Sequence, residues 1–200
     1  MNEDEDNKQT FCMFLDLETG GFNPKTHAIC ELGFLVFNTR TYEVVSKSVV
    51  KIKPYFLDAK THTKAEYTQS AFKTNRYSQE ELERTGFKIE NILRLFDEVI
   101  RKYEIVYFGG HNVENFDIRF LQHVYRIFMG KEFTYKQAIC TLAMARRRIE
   151  LKSYSLTSLC EHFKLEPKKM HTAMADTEAS YEVFQLLRNL PDRQPKPKAR

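Results

Sequence analysis

Residues 14–21 read FLDLETGG and set Asp16 and Glu18 two positions apart inside an otherwise apolar run. On an extended strand, side chains two apart share a face, so the two carboxylates converge while Leu15 and Leu17 point the other way. Taken alone, the pair is better read as a solvated strand end. Two later acidic residues extend the pattern. In GHNVENFDIRFLQHVYRIF, Asp117 is in helical register with Leu121, Val124 and Phe128, at or beside an apolar stripe formed by Phe116, Phe120, Leu121, Val124, Ile127 and Phe128. A carboxylate decorating the first helical turn, with Asn112 or Asn115 as cap, accounts for it about equally well. In MHTAMADTEASYEVFQLL, Asp176 precedes Ala179 by three and joins a face that continues through Val183, Leu186, Leu187 and Leu190. An unpaired carboxylate buried there costs several kcal/mol, so a cation is expected, and the small neighbours Ala173, Ala175 and Ala179 leave room for it. His171 stands five residues before Asp176, about 140° away on a continuous helix. It reaches the same site only from a loop preceding the helix. Four carboxylates with neither cysteine nor clustered histidine suit Mg²⁺ or Mn²⁺. Two such ions about 4 Å apart stabilise the attacking and leaving oxygens of an in-line displacement at phosphorus. A histidine titrating near neutrality can take the proton of the attacking water. The chemistry that follows is phosphodiester hydrolysis.

The elements that must position these groups are legible in outline. Strands are expected at 10–17, 28–38 and 41–54, the latter two linked as a hairpin through NTRTYE. The stretch to about residue 77 is polar and weakly patterned. Ser78 followed by Glu81 is a capping box, and Gly86 ends that short helix. Residues 88–103 keep a 3.6-residue period through Ile89, Ile92, Leu93, Phe96, Val99, Ile100 and Tyr103. IVYFGG (105–110) reads as a buried strand, followed by helices over 113–129, TLAMARRR, SLTSLCEHF and 172–190. Strands first and helix–strand alternation after predict an α/β fold, a mixed sheet with helices on both faces. The domain spans 10–190. Residues 1–9 form an acidic start expected to be disordered, and the basic, proline-rich 191–200 is expected to be a linker or an unpacked end.

Composition sets the bounds. With 200 residues, 42% hydrophobic content and 16 phenylalanines, one core is expected. The net charge of +4 permits a polyanionic partner without requiring one. Cys12, Cys30, Cys140 and Cys160 show no zinc-ligand spacing and read as reduced core residues. No run approaches the ~20 apolar residues of a membrane span, and the acidic start is unlike a signal peptide. A soluble, intracellular, cytoplasmic protein is expected.

FLDLETGGF, GHNVENFDIRFL and HTAMADTEAS resemble, in order, the three motifs of the DEDDh (DnaQ-like) 3′-to-5′ exonucleases. That group includes the ε subunit of bacterial DNA polymerase III, ribonuclease T, oligoribonuclease and the Trex enzymes. The likeness covers roughly residues 10–190. It implies a ribonuclease-H-like sheet of three antiparallel strands followed by two parallel ones. It further implies that Asp16, Glu18, Asp117 and Asp176 bind two Mg²⁺ (or Mn²⁺) ions and that His171 is the general base. A tyrosine four residues before the last aspartate would mark the other subgroup; here His171 stands five before. By the same resemblance, backbone groups of Thr19 and Gly20 receive the terminal sugar and phosphate. Phe22 stacks on a base or closes the loop as a core residue, with equal weight. Asn112, with His111, contacts the substrate or only shapes the turn. Cys140-Thr141-Leu142 stands where many relatives have a DTL motif, so a structural carboxylate is missing. The run Arg146–Arg148 reads first as a solvated helix face and second as a phosphate contact. The partner is the 3′ end of DNA, single-stranded or frayed, with nucleoside 5′-monophosphates released and no membrane involved. The alternatives are an RNA-trimming enzyme of the oligoribonuclease or ribonuclease T type, or a proofreading module bound to a DNA polymerase or repair partner.

Overall fold

The computed structural model describes residues 10–58, 60–166 and 171–194. Its centre is β1 (Phe11–Thr19), antiparallel to β2 (Ile29–Asn38), which in turn is antiparallel to β3 (Val44–Lys51). On its other edge β1 runs parallel to β6 (Tyr107–Gly110), and β6 parallel to β7 (Gln137–Cys140). The order β3-β2-β1-β6-β7 is the expected mixed five-stranded sheet. A two-stranded hairpin, β4 (Phe56–Asp58) and β5 (Thr63–Lys64), lies apart from it.

Alternation along β1 sorts the two layers. Met13, Leu15 and Leu17 face a core filled by Ile92, Leu93 and Phe96 of α3 (Ile89–Lys102) and Ile118, Phe120 and Leu121 of α4 (Asp117–Val124). Cys12 and Phe14 face the other way. They meet Met144 of α5 (Thr141–Arg148), Leu159 of α6 (Leu156–Phe163) and Tyr181, Val183 and Phe184 of α7 (Ala173–Leu187). Helices therefore cover both faces. The cysteines are free thiols, three buried and Cys160 half-buried. No helix among the described residues is long and apolar enough to cross a membrane.

Ser78 caps α2 (Gln79–Thr85) by accepting the Glu81 N–H at 3.1 Å, and Gly86 ends it, as the capping signature predicts. Several boundaries differ. β3 starts at Val44 rather than 41, because Asn38 Oδ1 accepts the N–H groups of Arg40 and Thr41 and Tyr42 takes φ 60 in the turn. The polar stretch holds α1 (Gln69–Asn75), seven residues too short to show a period but capped by Thr68, which accepts the Ala71 N–H at 3.1 Å. The helix expected over 113–129 begins only at Asp117 and continues after Val124 as a π-helical turn to Met129. Its start is set by Asn112, whose φ of 60 turns the chain and whose carbonyl accepts from Asn115 and Phe116. The beginning of the tail does pack: Asp192 accepts from Arg148 Nε at 3.0 Å, and Arg193 donates to the Ile149 carbonyl and Glu150. Charged residues expected to keep it solvated find partners at the end of α5 instead. Residues 1–9 and 195–200 lie outside the described residues.

Candidate active site

β1 outlasts β6. Pairing between them stops at Phe14–Gly109, so the last five residues of β1 project beyond the parallel edge. The Leu17 N–H on that edge is taken by Asp117 Oδ1 at 2.9 Å, which ties the first residue of α4 to the motif strand. Asp117 is only 2% exposed.

Asp16 and Glu18 continue the Cys12–Phe14 face and look toward α7. That helix starts at Ala173, with the Thr172 hydroxyl accepting the Ala175 N–H at 3.3 Å, and delivers Asp176 in its first turn. Close approach depends on Gly33 of β2, where a Cβ would sit 2.5 Å from the Ala173 carbonyl carbon. One oxygen from each of Asp16, Glu18 and Asp176 lies within 4.8 Å of the others. Three of the four expected carboxylates thus gather, while Asp117 stands beside them with one oxygen held by the backbone.

Burial is the main cause that raises every carboxyl pKa here. Asp16 is held well above the usual range by burial and then by Asp117, Asp176, Glu18 and Glu31. Glu18 is pushed to about 7 by burial, Asp176 and Glu31. Asp117 reaches about 8 through burial, against the pull of the N–H groups of Leu17 and its own backbone. Asp176 is raised by burial and drawn back by His171. Among the described residues no lysine or arginine pairs with any of the four. Asp176 Oδ1 is buried without a hydrogen-bond partner. An all-oxygen set lacking its positive charge, one of whose residues carries an unpartnered buried oxygen, fits a hard divalent cation.

His171 is exposed in the bend before α7 with φ 71, next to Asp176 in charge but outside the helix, as the spacing required. Phe22 is 88% exposed, so the reading of it as a core residue falls; it meets Phe116 edge-on at 6.3 Å. Both rings line a cleft of about 300 Å³ beside Glu18, whose far wall is α1. Gly20 departs from expectation: its N–H donates to the Ala28 carbonyl at 2.8 Å and its own carbonyl accepts the Thr68 N–H at 2.7 Å. The Thr19 carbonyl accepts Asn75 Nδ2 at 3.0 Å, and its hydroxyl donates to the Gly21 carbonyl. These hydrogen bonds tie the loop after β1 to Ala28, Thr68 and Asn75. Asn112 shapes the turn before α4, while His111 Nδ1 lies 3.0 Å from the Thr141 hydroxyl and is depressed to about 4 by burial. Arg148 is spent on the Leu187 carbonyl and Asp192. Sequence reasoning missed Glu31, whose charge within the apolar ICELGFLVFN was a visible signal, and the α1 wall with Asn75, for which only the Thr68 cap was.

A carboxylate cluster, with Glu18 buried and Asp16 and Asp176 half-buried, thus sits at the projecting end of the central strand of a mixed sheet, flanked by a cleft. Residues 13–184 match the exonuclease family RNase_T, and the chain belongs to that family. It is 31% identical over 170 residues to the PolC-type DNA polymerase III of Thermotoga maritima, which covers 85% of this chain and 11% of the relative. With the DNA polymerase III ε subunit of Aquifex aeolicus it shares 35% over 97 residues, 48% of this chain and 46% of that one. E. coli exonuclease I in complex with a dT13 oligonucleotide superposes at a TM-score of 0.73 with 17% identity, over 90% of this chain and 41% of that one. The zinc-bound form of the E. coli exonuclease I complex with single-stranded DNA gives 0.74 at 19%, over 94% and 42%. At such identity the likeness is one of fold. The chain spans about a tenth of the PolC-type relative and under half of exonuclease I.

Proposed function

We propose that the chain hydrolyses phosphodiester bonds at the 3′ end of DNA, single-stranded or frayed, releasing nucleoside 5′-monophosphates. Asp16, Glu18, Asp117 and Asp176 would hold two Mg²⁺ (or Mn²⁺) ions, which when bound supply Lewis-acid charge at the reacting phosphate. The observation that carries the reading is the trio of carboxylate oxygens within 4.8 Å together with the unpartnered Asp176 Oδ1. Asp117 orients the motif strand through the Leu17 N–H. His171, exposed on its bend, takes a proton from the attacking water. Phe22 and Phe116 bracket the cleft where a terminal base can stack without regard to sequence. The names of the polymerase III relatives and the oligonucleotide bound to exonuclease I support DNA over RNA and a polymerase as partner.

The test is degradation of 5′-labelled single-stranded, 3′-recessed and RNA oligonucleotides with Mg²⁺ or Mn²⁺. A ladder of shortening DNA fragments is expected, abolished by EDTA and by Asp16→Ala. His171→Ala should lower kcat by ~10²–10⁴. Activity surviving EDTA and Asp16→Ala would sink the metal reading, and preference for RNA would replace the substrate with the exoribonuclease one.

A further inference from the structure

Glu31 is the one charged residue of β2 and is 5% exposed. It pairs directly across from Glu18, so both side chains share the face turned to α7. Yet it is absent from the oxygen cluster of Asp16, Glu18 and Asp176. Its Oε2 instead accepts the N–H of Ala173, the first residue of α7, at 2.8 Å. The first N–H groups of a helix have no partner within it, and a carboxylate suits the positive end of the dipole. Two residues further along β2, Gly33 forms the floor against which the same Ala173 backbone is pressed. In the turn after α1, the Tyr77 phenol is pushed up by burial and by the neighbouring Glu31 carboxylate. In that turn Arg76 takes φ 58, and Asn75 on its other side donates to the Thr19 carbonyl.

Ala173 lies two residues after His171 and three before Asp176. Whatever locks Ala173 therefore locks both groups that α7 brings to the site, and Glu31 does so from the strand opposite Glu18. We propose that Glu31 is a positioning residue of the active site: it seats the first turn of α7 so that Asp176 and His171 hold their places against Asp16 and Glu18. This rests on the exonuclease reading above. A misplacement of about 1 Å can cost ~10²-fold in rate, so the seat matters to turnover more than to substrate affinity.

Glu31→Ala and Glu31→Gln decide it, with steady-state kinetics on single-stranded DNA, Mn²⁺ binding by paramagnetic resonance, and amide exchange of residues 171–176. Glu31→Ala is expected to lower kcat by ~10² with KM within roughly 3-fold, and to speed exchange of the Ala173 amide. Glu31→Gln keeps the acceptor, so its kcat returns to within roughly 5-fold of wild type, with Mn²⁺ affinity retained. Wild-type kcat and exchange in Glu31→Ala overturn the proposal. So does a glutamine variant as slow as alanine whose Mn²⁺ binding is lost as in Asp16→Ala, since Glu31 would then be a ligand. An inactive wild type defeats the exonuclease reading alone, because exchange in Glu31→Ala still decides whether Glu31 seats the helix.

Discussion

The β1–α7 interface has two ends of opposite character. At one end Phe14 meets Tyr181 and Phe184 with ring centroids 5.7 and 5.2 Å apart, and Phe37 meets Tyr181 at 4.8 Å. At the other, further along the same strand face and nearer the start of the same helix, stand Asp16, Glu18 and Asp176. The aromatic end gains apolar burial plus ~0.5–1.5 kcal/mol per well-set ring pair, whereas like charges in a buried site cost several kcal/mol. One pair of elements thus serves as anchor and as site. The packed end fixes the register in which the acidic end is brought together.

Substitutions at the two ends should therefore separate activity from stability. Asp16→Asn is expected to reduce turnover by at least ~10²–10³. In the metal-free protein it should raise the melting temperature by roughly 2–4 °C, about the effect of 1 kcal/mol in a chain of this size. Calorimetry beside the nuclease assay checks both, and a lower melting temperature would deny that the site is strained. Phe184→Ala, at the opposite end, should cost ~3–5 kcal/mol in denaturant unfolding while the folded fraction turns over at close to the wild-type rate. Phe22→Ala should raise KM by the equivalent of ~1–3 kcal/mol per stacked base and leave stability alone, because the ring is almost wholly exposed. The smallest effect is on pH. Glu18 at about 7 and Asp117 at about 8 hold their protons more tightly folded than unfolded. Their contribution to stability is complete below the ordinary carboxyl range and is lost as pH rises through those values. Metal-free protein should melt a few degrees lower at about pH 8 than at about pH 5, and saturating Mg²⁺ should erase the difference. A melting temperature that rises over the same interval would reverse the sign.

The three carboxylate-bearing motifs were legible because each puts a charge at an apolar register position, and the strand and helix periods alone align Asp16 with Glu18 and Asp176 with Val183. His171 was readable as a loop residue from its offset of five. Substrate contacts were less so. Thr19 and Gly20 carry the right residue types for backbone recognition, but their hydrogen bonds run to Ala28, Thr68 and Asn75, which lie far along the chain. Glu31 stood in plain sight within an apolar strand, yet its partner Ala173 is 142 residues away. The wall of the cleft was hidden because α1 is too short for its period to speak.

Residue order by itself determined the layered α/β fold, the sheet of antiparallel and parallel strands, and the four acidic positions, since these follow from local periodicity and from charges that break it. Only the tertiary structure decided that three carboxylates share one point while Asp117 is held at its edge by the Leu17 N–H. It alone decided that Glu31 seats a helix rather than joining the cluster. Distances of a few ångströms between residues a hundred positions apart depend on how Gly33 lets α7 settle on β2 and on where β6 stops pairing with β1, and no local pattern encodes either.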